Sequence, residues 1–279
     1  METSGLRFAA NLSILFTELP LLDRPAAAAA AGFDAVELWW PWPDLPVAPA
    51  TELDALREAL KEAGTQLVGL NFYAGQLPGP DRGAASIPAW STDFRANLDI
   101  AAEFAGSVGC TALNALYGNR VGEATPEQQD RLAMENLARA AQAAHRVGAT
   151  VLIEASNAYE SPDYPLVSSR AAVDVVDRLN EATGLGNARF LCDLYHLSRM
   201  DEDLGDVLQT YADKIGHIQI ADNPGRSQPG TGNLDFPALF DGIAATGYDG
   251  WIGLEYKPSG PSAQSFDWLP LNRGASKRV

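Results

Sequence analysis

Eight apolar runs of strand length, rich in Val, Ile, Leu and Phe, alternate along this chain with longer alanine-rich segments of helical period. Strict strand–helix alternation builds a parallel sheet, and eight parallel strands are the number that closes a barrel. The pattern predicts strands over Arg7–Leu15, Ala35–Trp40, Gln66–Phe72, Ala112–Tyr117, Thr150–Ala155, Arg189–Leu194, Ile215–Ala221 and Trp251–Tyr256. Helices are predicted over Leu22–Ala31, Thr51–Ala63, Thr92–Val108, Pro126–Val147, Ala171–Ala182, Leu204–Ala212 and Pro237–Ala245. Gly32, Gly64, Gly148 and Gly247 each follow a helix just before the next strand, where a left-handed residue ends a helix cheaply. Thr125-Pro126-Glu127-Gln128 has the composition of a capping box.

The 279 residues suit an α/β (β/α)₈ TIM barrel, for which roughly 250 is typical, and they are read as a single domain over 1–279 without a linker. An open doubly wound sheet would carry a Gly-x-Gly-x-x-Gly turn after its first strand, and none follows here. Tyr73–Trp90 is long and rich in Gly and Pro for a barrel loop, which makes it a candidate lid. No apolar run is long enough to span a membrane, and Met1–Gly5 shows no leader pattern, so a cytoplasmic protein is expected. Cys110 and Cys192 follow no metal or redox spacing and read as buried thiols. A net charge of −16 argues against nucleic acid as a partner. It leaves a small molecule, whose charge a few placed cations can meet, and it leaves a homo-oligomer open.

Barrel strands are filled by apolar side chains, so acids and amides inside apolar runs need a reason. They recur near strand carboxyl ends: Glu37, Asn71, Glu154, Asp193, Gln219 and Glu255. Converging buried carboxylates are costly unless a cation joins them. Oxygen donors from Glu154, Asp193, Gln219 and Glu255 make a hard-ligand set suited to Mg²⁺ or Mn²⁺ more than to zinc. Strand alternation adds a check: with Gln219 facing inward, His217 lies one layer deeper, and with Asp193 inward, Cys192 faces the helices. Glu37 and Asn71 either meet a substrate or brace a loop. Trp39, Trp40, Trp42 and Tyr73 either wall the pocket or pack the core, and His145 reads as surface.

Several segments together resemble the hydroxypyruvate isomerases, a family of the xylose-isomerase-like barrels that also include ketose 3-epimerases. They are Phe8-Ala-Ala-Asn-Leu-Ser with Phe16-Thr-Glu, Ala31-Gly-Phe-Asp-Ala-Val-Glu, Ile153-Glu-Ala, Cys192-Asp-Leu-Tyr-His, His217-Ile-Gln-Ile-Ala-Asp, Pro229-Gly-Thr-Gly-Asn-Leu-Asp and Gly250-Trp-Ile-Gly-Leu-Glu-Tyr-Lys-Pro. The resemblance runs from the first strand to the last, and Gln219 favours the isomerase branch, since the epimerases usually carry a histidine there. It implies interconversion of hydroxypyruvate and 2-hydroxy-3-oxopropanoate (tartronate semialdehyde) by proton transfer through an enediolate. It implies a divalent metal on Glu154, Asp193, Gln219 and Glu255, with Glu154 and Glu255 also the acid–base pair, and substrate contacts from His196 and Arg226. The substrate carboxylate asks for a cation, for which Arg226 is the first candidate and Lys257 the second. Asn71 and Glu160 complete the expected contacts, although the spacing of Glu160 from Glu154 is one associated with sugar epimerases. A ketose 3-epimerase, a 2-oxo-tetronate isomerase and a non-catalytic sugar-binding barrel are the alternatives. An apurinic endonuclease of similar fold would need more metal-ligating histidines than the three present and a basic face.

Overall fold

The alternation closes into a ring. In the computed structural model, which describes residues 5–269, β1 (Arg7–Asn11), β2 (Ala35–Leu38), β3 (Gln66–Asn71), β4 (Ala112–Asn114), β5 (Thr150–Glu154), β6 (Ala188–Asp193), β7 (Ile215–Ile220) and β8 (Trp251–Leu254) form a closed barrel in sequence order. Every neighbouring pair is parallel, including β8 on β1. Seven helices lie where the periodicity predicts: α1 (Arg24–Ala31), α2 (Ala50–Ala63), α3 (Ser91–Ser107), α4 (Pro126–Arg146), α5 (Ser169–Thr183), α7 (Leu204–Thr210) and α8 (Phe236–Ala245). Gly32 and Gly64 end α1 and α2 at φ 102° and 68°, and both bonds of the Thr125–Gln128 capping box form at α4. Among the described residues no helix is long and apolar enough to cross a membrane. The reading of Met1–Gly5 falls, apart from Gly5, outside the described residues.

Two differences from the sequence pattern position the site. The apolar runs outlast the strands: β1 stops at Asn11 and β4 at Asn114, because the chain beyond them folds back, as when the Leu15 amide donates to the Asn11 carbonyl. An unpredicted short helix, α6 (Leu194–Arg199), leaves β6 with no intervening loop. Its six residues are too few to show a helical period. What starts it is Asp193, whose Oδ1 accepts from the amides of Tyr195 and His196.

The main core lies between barrel and helices, where Cys192, Ile218, Ile220, Ile252 and Leu254 pack outward. Both cysteines are free and buried. The barrel interior holds Ala112, Leu152 and Leu191 with a polar layer, Glu37 and His217, bonded at 2.6 Å. That layer depends on glycine: a Cβ on Gly253 would lie 2.4 Å from the Glu37 carboxylate. The stretch after β3 is pinned as well as long. The Gly83 amide donates to the Ala74 carbonyl, the Gly118 amide donates to the Arg82 carbonyl, and Gly83 bridges to Tyr117. Gly83 sits at φ 112° with the Leu116 carbonyl oxygen 2.3 Å from where a Cβ would be, so only glycine fits there.

Candidate active site

A cavity of about 950 Å³ opens at the carboxyl ends of the strands, walled by Trp39, Asn71, Glu154, His196, Arg226 and Glu255. This is the face on which TIM barrels carry their chemistry, because the loops there follow eight separate strands. Glu154 ends β5, Asp193 ends β6 and Glu255 directly follows β8. Ligand atoms of Glu154, Asp193, His196 and Glu255 all lie within 4.8 Å of one another, and all four residues are buried.

The residues present fit a divalent cation. With Oδ1 of Asp193 engaged in capping α6, its Oδ2 is buried without a hydrogen-bond partner. The amide nitrogen of Gln219 donates to Glu37 at 2.8 Å and to Glu255 at 3.3 Å. Those two carboxylates fix which way the amide points, and Oε1 of Gln219 is likewise buried and unpartnered. Orphaned buried acceptors are rare because each forfeits its hydration. Three clustered carboxylates meet one guanidinium, Arg226, which Glu160 also engages. All-oxygen donors with surplus negative charge are what Mg²⁺ or Mn²⁺ binds.

The two glutamates differ in surroundings. Glu255 Oε1 accepts from Trp39 Nε1 at 2.7 Å and Asn11 Nδ2 at 3.1 Å, while Oε2 accepts from Arg226 Nη2 at 2.7 Å. Glu154 has one side-chain donor, Asn114 Nδ2 at 2.8 Å. Burial, with Glu255 and Asp193 nearby, holds the Glu154 carboxyl well above its usual range. Burial also pushes Glu255 up, to about 7, with Arg226 pulling against it. Asp193 is pushed by burial to about 6, again opposed by Arg226. Both carboxyls are thus raised, but Arg226 opposes the rise chiefly at Glu255, where it is the second influence after burial, and only weakly at Glu154.

His196 faces the same point. Its Nδ1 accepts from the Asn157 backbone amide at 3.3 Å and lies 2.7 Å from the Asn157 side-chain amide. Both partners donate, so the ring proton sits on Nε2, which lies 3.6 Å from Asp193 and 3.8 Å from Glu154. Burial, then Arg226 and Arg82, hold the imidazole well below its usual pKa, so it is a neutral N–H donor. Arg226, carried at φ 53° on the loop after β7, spans Glu160 at 3.1 Å and Glu255 at 2.7 Å and lies over the Tyr195 ring. Glu160 also accepts from the Tyr195 hydroxyl at 2.9 Å. Burial raises its pKa, but Arg226, Tyr195 and Asn157 outweigh burial and leave it lowered.

Every residue singled out for the site from sequence reaches this cavity or its floor. Glu154, Glu160, Glu255, His196, Arg226, Asn71 and Lys257 line it, Lys257 from the exposed rim, and Asp193 and Gln219 lie beneath. Glu37 serves as the hub below, accepting from His217, Gln219 and Asn11. The aromatics divide: Trp39 reaches Glu255, whereas Trp40 and Trp42 pack edge to face and Tyr73 packs on Trp90. His145 is exposed on α4. Four residues escaped the sequence reading. Asn11 and Asn114 end their strands like the acids, but over-long strand boundaries placed them mid-run. Asn157 and Arg82 sit in loops with no local signal.

The model of the xylose isomerase-like TIM barrel family matches residues 25–271. The chain belongs to that family. It is 67% identical over 279 residues, 99% of this chain and all of the relative, to a putative hydroxypyruvate isomerase of Streptomyces coelicolor. It is 37% identical, over 94% of this chain and 97% of the relative, to a 2-oxo-tetronate isomerase of Cupriavidus necator. Among solved structures, an AP endonuclease, family 2, from Brucella melitensis superposes with a TM-score of 0.86 at 34% identity, covering 96% of this chain and all of that one. The resemblance of its motifs to hydroxypyruvate isomerases is thus borne out across the chain, and this family member is an isomerase.

Proposed function

We propose that this isomerase interconverts hydroxypyruvate and 2-hydroxy-3-oxopropanoate by moving a proton between C3 and C2. The observation that carries the reading is a pair of buried glutamates in unlike surroundings, Glu154 with Asn114 as its one side-chain donor and Glu255 paired to Arg226, in a single cavity beside a neutral N–H donor. Pairs of acids set in unlike environments mark general acid–base work. The ionised Glu255 takes a proton from C3. The C–H electrons form the C2=C3 bond and the carbonyl electrons pass to O2, giving an enediolate. The Nε2–H of His196 donates to that oxygen as charge develops. O2 then takes up the proton that O3 gives up, and Glu154 delivers its own proton to C2 as the C3 carbonyl forms. Solvent restores the pair, and in reverse the roles exchange.

Glu154, Asp193, Gln219 and Glu255 would hold a divalent cation. When bound, it supplies positive charge against the developing enediolate. Arg226, already spanning Glu160 and Glu255, orients the base, and the Trp39 indole holds the other oxygen of Glu255. A second reading is the same transfer on a four-carbon 2-oxo acid, for which the cavity of about 950 Å³ also has room. The 2-oxo-tetronate isomerase relative supports it too. A nuclease role gains nothing from the Brucella likeness: of three histidines only His196 lines the cavity, and the net charge is −16.

The test is a coupled assay with hydroxypyruvate, a tartronate semialdehyde reductase and NADH, run with Mg²⁺ and with a chelator, beside a control lacking the isomerase. Turnover above the control is expected, reduced by the chelator. Failure on hydroxypyruvate with turnover of 2-oxo-tetronate would select the longer substrate. No turnover of either would sink the reading.

A further inference from the structure

Arg82 stands in the cavity wall, on the pinned loop after β3. Its Nε donates to Ser161 Oγ at 2.8 Å, and Nη1 donates to the carbonyls of Gly79 and Asp81. Nη2 makes one long contact, 3.4 Å to the Glu160 carbonyl. All these partners are neutral, and among the described residues no carboxylate lies within ion-pair distance. A second guanidinium, Arg226, lies near enough to act on it. Burial, then Arg226, lowers the Arg82 pKa. The carboxylates of Glu160 and Asp81 act on it from beyond ion-pair distance and do not outweigh these two, so the guanidinium is left without a direct anionic partner.

Its placement is built. Gly83, whose left-handed backbone no other residue could adopt against Leu116, fixes the chain at Arg82, and the Gly118 amide holds the Arg82 carbonyl. Arg226, the first candidate for gripping a substrate carboxylate, already has each terminal nitrogen paired to a carboxylate, Glu160 and Glu255, which neutralise its charge. Lys257 is exposed at the rim. We infer that Arg82 is the residue that receives the substrate's carboxylate, through its Nη2 edge, and so selects 2-oxo acids over uncharged ketoses. The inference rests on the proposed function only in naming a carboxylate substrate.

Two unreactive ligands separate the terms. Pyruvate carries the 2-oxo acid without the 3-hydroxyl, and pyruvamide replaces its carboxylate by a neutral amide of the same shape. Calorimetric titration of wild type, Arg82→Gln and Arg82→Lys with each, Mg²⁺ present throughout, reads carboxylate recognition directly. Arg82→Gln is expected to weaken pyruvate about tenfold to a hundredfold, the range for one lost charge-assisted hydrogen bond, and to change pyruvamide far less. Arg82→Lys recovers part of the loss, since it keeps the charge but not the fork. Wild type binding pyruvate no more tightly than pyruvamide would overturn the inference. So would an Arg82→Gln protein that binds pyruvate like wild type, or one that weakens both ligands equally. Absent turnover of hydroxypyruvate with the pyruvate result intact would sink the proposed reaction and leave Arg82 standing.

Discussion

Glu154→Gln is expected to lower kcat on hydroxypyruvate by about 10²–10⁴-fold, the range for a lost general acid or base, with the barrel intact. The substitution is sterically quiet. Asn114, the one side chain donating to Glu154, still finds an amide oxygen to accept its hydrogen bond, and what disappears is the transferable proton. Glu255→Gln falls in the same range but for two reasons, because Arg226 also loses an ion pair at 2.7 Å. A KM for hydroxypyruvate rising with Glu255→Gln and holding with Glu154→Gln would separate these roles. The double variant should fall little below the weaker single one, since both groups act in one transfer and their losses do not add. Steady-state kinetics on the three proteins, with thermal unfolding to verify folding, checks this. Full activity in Glu154→Gln would remove it from the reaction.

Metal-free protein should lose stability as the pH rises from about 4 to about 8 through its site carboxylates, and Mg²⁺ should restore it. Burial raises Asp193 to about 6 and Glu255 to about 7 and holds Glu154 higher than normal. A carboxyl whose folded pKa is raised binds its proton more tightly when folded. Its contribution is therefore fully present below the unfolded pKa and is lost as the pH rises through the folded one. At about 1.4 kcal/mol per unit, Glu255 alone costs the metal-free fold on the order of 3 kcal/mol. His196 and Glu160, whose pKa values are lowered, act in the opposite sense, so the clean quantity is a difference. Between pH 5 and 8 the unfolding midpoint of wild type should drop relative to that of Glu154→Gln, which lacks the third buried carboxylate. Added Mg²⁺ at 100 times its Kd should raise the wild-type stability at pH 8 by about 2.7 kcal/mol, and far less at pH 5, where protons hold the ligands. Parallel pH profiles for the two proteins, with no Mg²⁺ effect on either, would contradict the cage.

Much of this architecture was legible because it is periodic. Apolar runs of strand length stand out against alanine-rich helices, and an acid such as Asp193 inside Leu-Cys-Asp-Leu is conspicuous by its desolvation cost. Period-2 alternation placed His217 beneath Gln219 and turned Cys192 outward, as found. What escaped obeys other rules. Strand ends are set by where ladder bonds stop, so Asn11 and Asn114 were hidden inside runs that continue apolar into the loops. Asp193 was conspicuous as an acid, but its second task, starting α6, depends on cap geometry rather than composition. Arg82 is brought to the cavity by a loop path fixed at Gly83, and no local pattern predicts where such a loop goes.

In the proposed reaction a proton, and not a hydride, travels between C3 and C2, with different carboxyls taking and giving it. Running the isomerisation in D₂O and reading the product by proton NMR tests this directly. A carboxyl proton on Glu154 would exchange with solvent before delivery, so deuterium is expected at C2 of 2-hydroxy-3-oxopropanoate. Product carrying only the substrate's own hydrogen at C2 would mean direct transfer, and would contradict the two-glutamate mechanism.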